Sequence, residues 1–465
     1  MTKTGAGSPS AASAQLDGGI DERALQAEID RIGREISSAE QPSAVRHPAR
    51  AIDRRAMALA SRDDELRIAL FRLIDVTPAC RTAEDLGRHL ASFAGELEPS
   101  RGLAAALRLA DTRAGRTVLG GAVAAAVRHT AHRFIAGETP HAAAGELGER
   151  WREGIAASVD LLGEATVSSD EADAYAARCA GTLDELAHLA RAWPAQALLE
   201  RDSLGALPRA NLSVKVSSLT AMLRAQAPER GVADAATRLR PLLARARDLG
   251  AHLHIDMESL DALETTVELA LELLEEPALA DGPSAGLVVQ AYLRDSPALV
   301  ERILAWAVRT RRRQPLTVRL VKGAYWDHEV AEAVQHGWRV PVFTDKAACD
   351  RNFEVLTRRL LDARPLVRVA IASHNLRSVA HAIAWNRLRG GRDDDLELQV
   401  LRGLGDELAT TLARRGTRVR VYAPVGDLVA GMAYLVRRLL ENTSNESFLL
   451  AQEQGVPLDR LLAAP

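Results

Sequence analysis

The chain has 465 residues, enough for two to four domains at roughly 100–200 residues each, with a barrel of about 250 residues counting as one. Apolar residues make up 47% and charged residues 26%, while 59 Lys and Arg against 62 Asp and Glu leave a formal charge of -3. That balance fits a globular chain with a large core and lacks a chain-wide basic footprint for nucleic acid. The three cysteines, Cys80, Cys179 and Cys349, lie far apart in no CxxC pattern, which argues against a disulfide scaffold or a cysteine zinc site and fits a reducing cytoplasm.

Residues 1–20 are rich in Ser, Ala, Gly and Thr and read as a disordered tail without a signal-peptide-type apolar stretch. Residues 21–149 read as an all-helical arm or domain. Apolar residues recur at three- and four-residue spacing in DERALQAEIDRIGREI and in DELRIALFRLIDV, and Gln41–Pro48, with two prolines, reads as a hinge. The most apolar run, TVLGGAVAAAV between Arg116 and Arg128, falls short of the ~18–20 residues a membrane span needs. No transmembrane segment is expected. This region holds no catalytic cluster and is assigned to packing or oligomerisation, which leaves room for a homo-oligomer.

Beyond about residue 150 short β-rich runs alternate with amphipathic stretches. The runs are LSVKVSS (212–218), HLHIDM (252–257), LVVQAY (287–292), LTVRLV (316–321), LVRVAIAS (366–373), LELQVL (396–401) and TRVRVYA (417–423). Repeated β-α units argue for a parallel sheet with helices outside. A weaker run at VDLLGEA (159–165) makes eight, and eight units closed on themselves give a (βα)8 barrel over 150–465. A doubly wound open sheet is the alternative, but no GxGxxG follows an early strand.

In a (βα)8 barrel the active site lies where the strands end. Polar residues sit there in number: Lys215, Asp256, Glu258, Gln290, Arg319, Lys322, Ser373, His374, Asn375 and Tyr422. One buried charge in a strand is usually a paired structural ion, whereas several at one mouth point to function. In KGAYW (322–326), Gly323 and Ala324 remove bulk, so backbone could approach a flat ring or a pyrophosphate beside Lys322; a plain turn reads equally well. In DLVAGMAYLVRRLLEN, Asp427 is the expected N-cap, and Tyr434, Arg437, Arg438 and Glu441 share roughly one face. Adjacent guanidiniums suit a carboxylate, against a solvated face with an Arg437–Glu441 pair.

His252 and His254 alternate along one strand, but no third ligand accompanies them, so packing or hydrogen bonding is expected rather than a metal. Ser373–His374 lacks a GxSxG elbow. Two other roles stay open: Lys215 as a Schiff-base nucleophile of an aldolase-like lyase, with Asp256 carrying the proton, and a non-catalytic sensor or scaffold.

NLSVKVSSL, HIDMES, LVVQAYLRDS, VRLVKGAYWDHE, VFTDKAACDRNF, ASHNLRS, LQVLRGLGDEL and VYAPVGDLVAGMAYLVRRLLENTSNESF resemble the proline dehydrogenase family, most closely the dehydrogenase half of its bacterial bifunctional members. The likeness runs through 150–465 with the motifs in order. It implies a distorted (βα)8 TIM-like barrel that binds FAD and oxidises L-proline to Δ1-pyrroline-5-carboxylate, with hydride passing to flavin N5 and electrons to a membrane quinone. By matching motif, Lys215, Arg437 and Arg438 would hold the proline carboxylate. Asp256 would be the catalytic acidic residue, linked to Tyr422 and the lysine. Tyr325, Leu401 and Tyr422 would pack around the ring. Arg319 would face flavin N5, Gln290 the pyrimidine edge and Met257 the ring system. Lys322, Gly323, Ala324, Trp326, Ser373, His374 and Glu441 would hold the rest of FAD. Asp160 and Glu164 match the first strand, with Glu164 forming an ion-pair gate with Arg437. The resemblance further implies a cytoplasmic protein touching the inner face of the cell membrane, and a separate pyrroline-5-carboxylate dehydrogenase as partner. The chain reads as a stand-alone enzyme or the separated half of a longer protein. An aromatic ring over proline C4 at Tyr422 implies a preference for proline over trans-4-hydroxyproline.

Overall fold

The computed structural model describes residues 19–39, 72–73, 76–96, 112–163, 165–427, 431, 434 and 448–465. The tail expected over 1–20 lies outside them except for Gly19 and Ile20. The hinge at Gln41–Pro48 and most of DELRIALFRLIDV also lie outside them.

Eight strands form a closed barrel: β1 (Ile155–Leu161), β2 (Asn211–Lys215), β3 (His252–Asp256), β4 (Ser284–Gln290), β5 (Leu316–Val321), β6 (Val367–Ala372), β7 (Leu396–Leu401) and β8 (Arg418–Val425). Each strand pairs in parallel with its sequence neighbour, and β1 closes the ring by pairing with both β8 and β2. All eight strand ends therefore open on one face, as the sequence implied. Every second side chain points into the barrel. On β3 these are His252, His254 and Asp256, and all three are buried.

The helical region before the barrel contains α1 (Glu22–Ala39), α2 (Ala83–Gly95), α3 (Arg113–Phe134) and α4 (Pro140–Arg152). The barrel carries α5 (Ser169–Ala190), α6 (Pro228–Leu249), α7 (Leu260–Glu275), α8 (Ser296–Thr310), α9 (Trp326–His336), α10 (Lys346–Asp362), α11 (Leu376–Leu388) and α12 (Asp406–Arg414). Local chemistry sets several helix starts. Thr139 caps α4 by accepting the Ala142 N–H, with Pro140 at the first helical position. Ser168 caps α5, Asp345 caps α10 and Asn375 caps α11.

Three strands differ from the sequence reading by three residues or more at an end. The first strand runs over 155–161 rather than 159–165, because α4 stops at Arg152 and Gly154, at φ +81°, turns the chain straight into β1. The run at 212–218 is strand only to Lys215, and Val216–Ser218 is a 3-10 turn. The strand at Gln290 begins at Ser284, three residues before the expected run.

Helix α1 lies across α11, with Leu25, Ile29, Ile32 and Ile36 buried in the same core as the barrel. That cover explains why α11 is buried from Leu376 through Asn386. Among the described residues, no helix is long and apolar enough to cross a membrane.

Candidate active site

The C-terminal halves of the strands bring four expected positions into one hydrogen-bonded cluster. Lys215 ends β2 and Asp256 ends β3, and the register sets them side by side. Arg319, on β5, donates from Nη1 to Asp256 Oδ1 at 2.7 Å. The Tyr422 hydroxyl donates to Asp256 Oδ2 at 2.6 Å, and Lys215 Nζ lies 3.8 Å from the same oxygen. The Arg319 guanidinium also sits 5.4 Å from the centre of the Tyr422 ring, close enough for a cation–π contact.

Asp160, on β1, accepts from Lys215 Nζ. Ser158 and Ser213 accept from the far side of Arg319 at 3.3–3.5 Å. Asp256 and Arg319 are buried, and Lys215 keeps 15% of its side-chain surface exposed. Lys215 is thus the cation of the cluster that a small solute can still reach.

The electrostatics follow from burial and pairing. Burial alone would lower the Lys215 pKa, but the Asp160 and Asp256 carboxylates reverse this and hold it above the ordinary lysine value. Burial raises Asp160, against the pull of Lys215. Burial and the two carboxylates push the Tyr422 phenol well above its ordinary value. Lys215 therefore stays cationic, and Tyr422 stays a hydrogen-bond donor.

The other expected positions ring this cluster. Gln290 ends β4; its Nε2 donates to the Glu258 carbonyl at 2.9 Å, while its buried Oε1 has no hydrogen-bond partner among the described residues. Met257 is buried beside Asp256. Lys322 follows β5 and pairs with Asp350, which Lys346 also approaches at 3.4 Å. Burial lowers the Lys322 pKa, opposed by Asp350. Tyr325 and Trp326 start α9, where the Trp326 indole donates to the Phe343 carbonyl at 2.9 Å. Ala324 is exposed. The Ser373 hydroxyl accepts the Asn375 N–H, and His374 Nε2 accepts the N–H of Leu401, which ends β7. Glu164, Arg437, Arg438 and Glu441 lie outside the described residues.

Gly323 also has a local structural reason. It sits at φ +136°, and a Cβ there would fall 2.4–2.6 Å from the Tyr292 ring. An aromatic side chain of this protein occupies the space that the missing side chain leaves.

Ser158 and Ser213 carry no charge or motif that marks them as site residues one by one, and Asp160 enters only through the family motif. Their signal was parity: each lies two residues from another inward position on its own strand. The pairing of Asp350 with Lys322 and the packing of Tyr292 under Gly323 depend on a return of the chain that carries no local pattern.

A closed parallel barrel that gathers its ionised side chains where the strands end has the frame of a (βα)8-barrel enzyme. Comparison gives the family. The family model described as proline dehydrogenase matches residues 143–451, and the one described as proline utilization A N-terminal domain matches 26–134. The chain belongs to the proline dehydrogenase family. It is 31% identical over 364 residues to the bifunctional protein PutA of Salmonella typhimurium, covering 76% of this chain and 26% of that protein. It is 28% identical over 324 residues to proline dehydrogenase 1 of Bacillus subtilis subsp. natto, covering 69% of this chain and 89% of that protein. A crystal structure of proline utilization A from Bdellovibrio bacteriovorus, inactivated by N-propargylglycine, matches with a TM-score of 0.86 at 34% identity, over 95% of this chain and 44% of that one. The chain thus spans about a quarter of the Salmonella relative and less than half of the Bdellovibrio one.

Proposed function

We propose that this chain oxidises L-proline to Δ1-pyrroline-5-carboxylate with FAD held at the C-terminal mouth of the barrel. The observation that carries this reading is the Lys215–Asp160–Asp256–Arg319–Tyr422 cluster in a chain of the proline dehydrogenase family. Proline presents a carboxylate, a secondary amine and a small apolar ring. The ring carbons offer no polar handle, so orientation must come chiefly from the carboxylate. Lys215 supplies a fixed cation for it, and Arg437 and Arg438 are proposed to complete the clamp. Tyr325, Leu401 and Tyr422 are proposed to enclose the ring. Lys215 and Arg319 are balanced by Asp160 and Asp256, so the surplus positive charge that would disfavour the ammonium form of the substrate, and ease loss of its nitrogen proton, is proposed to come from Arg437 and Arg438.

The residues present fit FAD. Gln290 Oε1 is a buried acceptor awaiting a donor, which the imide N–H of an isoalloxazine offers. Arg319, fixed by Asp256, Ser158 and Ser213, presents a preorganised positive charge to the same mouth. Met257, Lys322, Gly323, Ala324, Trp326, Ser373, His374 and Glu441 are proposed to hold the remainder, and Glu164 to gate the site with Arg437. When bound, FAD supplies the acceptor for the hydride that leaves proline C5.

A membrane quinone as the next electron acceptor, contact with the membrane surface, and a pyrroline-5-carboxylate dehydrogenase as partner rest on the family resemblance. The test of the central reading is anaerobic addition of L-proline to the FAD-loaded protein. It is expected to bleach the flavin band and yield a trappable pyrroline.

A further inference from the structure

We propose that the helical region before the barrel positions the loop that lines the proline ring, through a clamp between Arg402 and Glu146. The proposal rests on the reading of the mouth as a proline site.

Residues 401–406 leave β7 at the mouth. On the barrel side, the Leu401 N–H is held by His374 Nε2 at 2.9 Å, and the Arg402 N–H donates to the Tyr422 carbonyl at 3.1 Å. The other side belongs to the helical region. Arg402 Nε and Nη2 reach the two carboxylate oxygens of Glu146 on α4, both at 2.6 Å, and Nη1 donates to the His132 carbonyl at 2.8 Å. This planar fork fixes direction as well as distance. The clamp is reinforced at the next residues. Arg133 Nε donates to the Gly403 carbonyl at 3.0 Å, and Arg150 Nη2 donates to Asp406 at 3.0 Å. Gly403 sits at φ +83°, where a Cβ would lie 2.7 Å from the Phe134 ring.

The same segment also meets β8. The Ala136 N–H donates to the Pro424 carbonyl at 2.8 Å, and the Gly426 N–H donates to the Gly137 carbonyl at 3.0 Å. Residues 132–150 thereby hold the exits of both β7 and β8, which carry Leu401 and Tyr422. The Arg402 guanidinium faces Glu146 and His132, so Arg402 acts through Leu401. It is a positioning residue.

The test measures binding of the ring-oxygen analogue of proline, which has no oxidisable N–H, by perturbation of the flavin spectrum in the full-length holoprotein. Arg402→Met and Glu146→Gln are each expected to weaken the analogue about tenfold while FAD content stays at the wild-type level. The exchange Arg402→Glu with Glu146→Arg restores the ion pair but not the bond to the His132 carbonyl, and is expected to bind at least about threefold better than either single variant. Wild-type affinity in both single variants would overturn the proposal. So would an exchange that binds no better than the single variants, or a loss of FAD in step with the loss of affinity, which would mark a general structural role. Bleaching of the wild-type flavin by L-proline is read separately, so failure of the proline reading and failure of the clamp give different results.

Discussion

At the scale of single residues, Asp256 is the hub: it accepts from Arg319 and Tyr422 and faces Lys215. Removing one partner of a buried ion pair leaves the other uncompensated, at a cost of about 3–5 kcal/mol. Asp256→Asn keeps the shape but removes the charge, and sets an NH2 donor against either the Tyr422 hydroxyl or the Arg319 guanidinium. It is expected to lower kcat/KM for proline at least about a hundredfold with FAD still bound, as read by steady-state kinetics and flavin absorbance. An Asn variant within about twofold of wild type would remove Asp256 from the reaction. Sequence made Lys215, Asp256, Arg319 and Tyr422 visible because a charge or a tyrosine hydroxyl inside an apolar run stands out. It left Ser158 and Ser213 unmarked because a small hydroxyl in a strand is common. Only the closed ring brings them to Arg319.

At the scale of elements, β5 and β7 were legible to the residue, since LTVRLV and LELQVL are apolar runs bounded by polar turns. The first strand was not, because IAAS is weakly apolar and the eye passes to the Leu pair after it. The amphipathic pattern of α1 was also plain, but which surface it covers was not, since periodicity gives a face and no partner. That face buries Leu25, Ile29, Ile32 and Ile36. Ile32→Ala is expected to lower the unfolding free energy by about 2–4 kcal/mol and leave turnover unchanged, because Ile32 lies one turn from Glu35, which pairs with Arg415 at the end of α12 opposite the mouth. Denaturant titration alongside the kinetic assay checks both halves. An unchanged unfolding midpoint would mean that α1 does not dock as described.

At the scale of the whole molecule, the barrel axis carries two polar layers with different jobs. Opposite the mouth, Arg368 pairs with Asp202 and Arg420 with Glu397, while His252 bridges Ser284 and His254. These charges also interrupt apolar runs, so polarity within a strand does not by itself mark function; its depth along the strand does. Burial, with the Arg420 charge, lowers His252 to about 3, and burial with the Arg319 charge lowers His254 well below its ordinary value. The folded pKa is depressed, so both rings stay neutral in the native state while the unfolded chain takes up protons near 6.5. For His252 this stability is complete above about pH 6.5 and is lost as pH falls toward 3, at about 1.4 kcal/mol per pH unit, and His254 acts in the same direction. Thermal melts from pH 7 to pH 4 are expected to fall steeply in the wild type and less steeply in His252→Gln; equal slopes would contradict the assignment. The other layer, at the mouth, is the one proposed to oxidise L-proline. The most direct measurement of that role is anaerobic titration of the FAD-loaded protein with L-proline, followed in the flavin band near ~450 nm. Full bleaching is expected, with one pyrroline product formed per flavin. A flavin that binds but stays oxidised in excess L-proline would contradict that role.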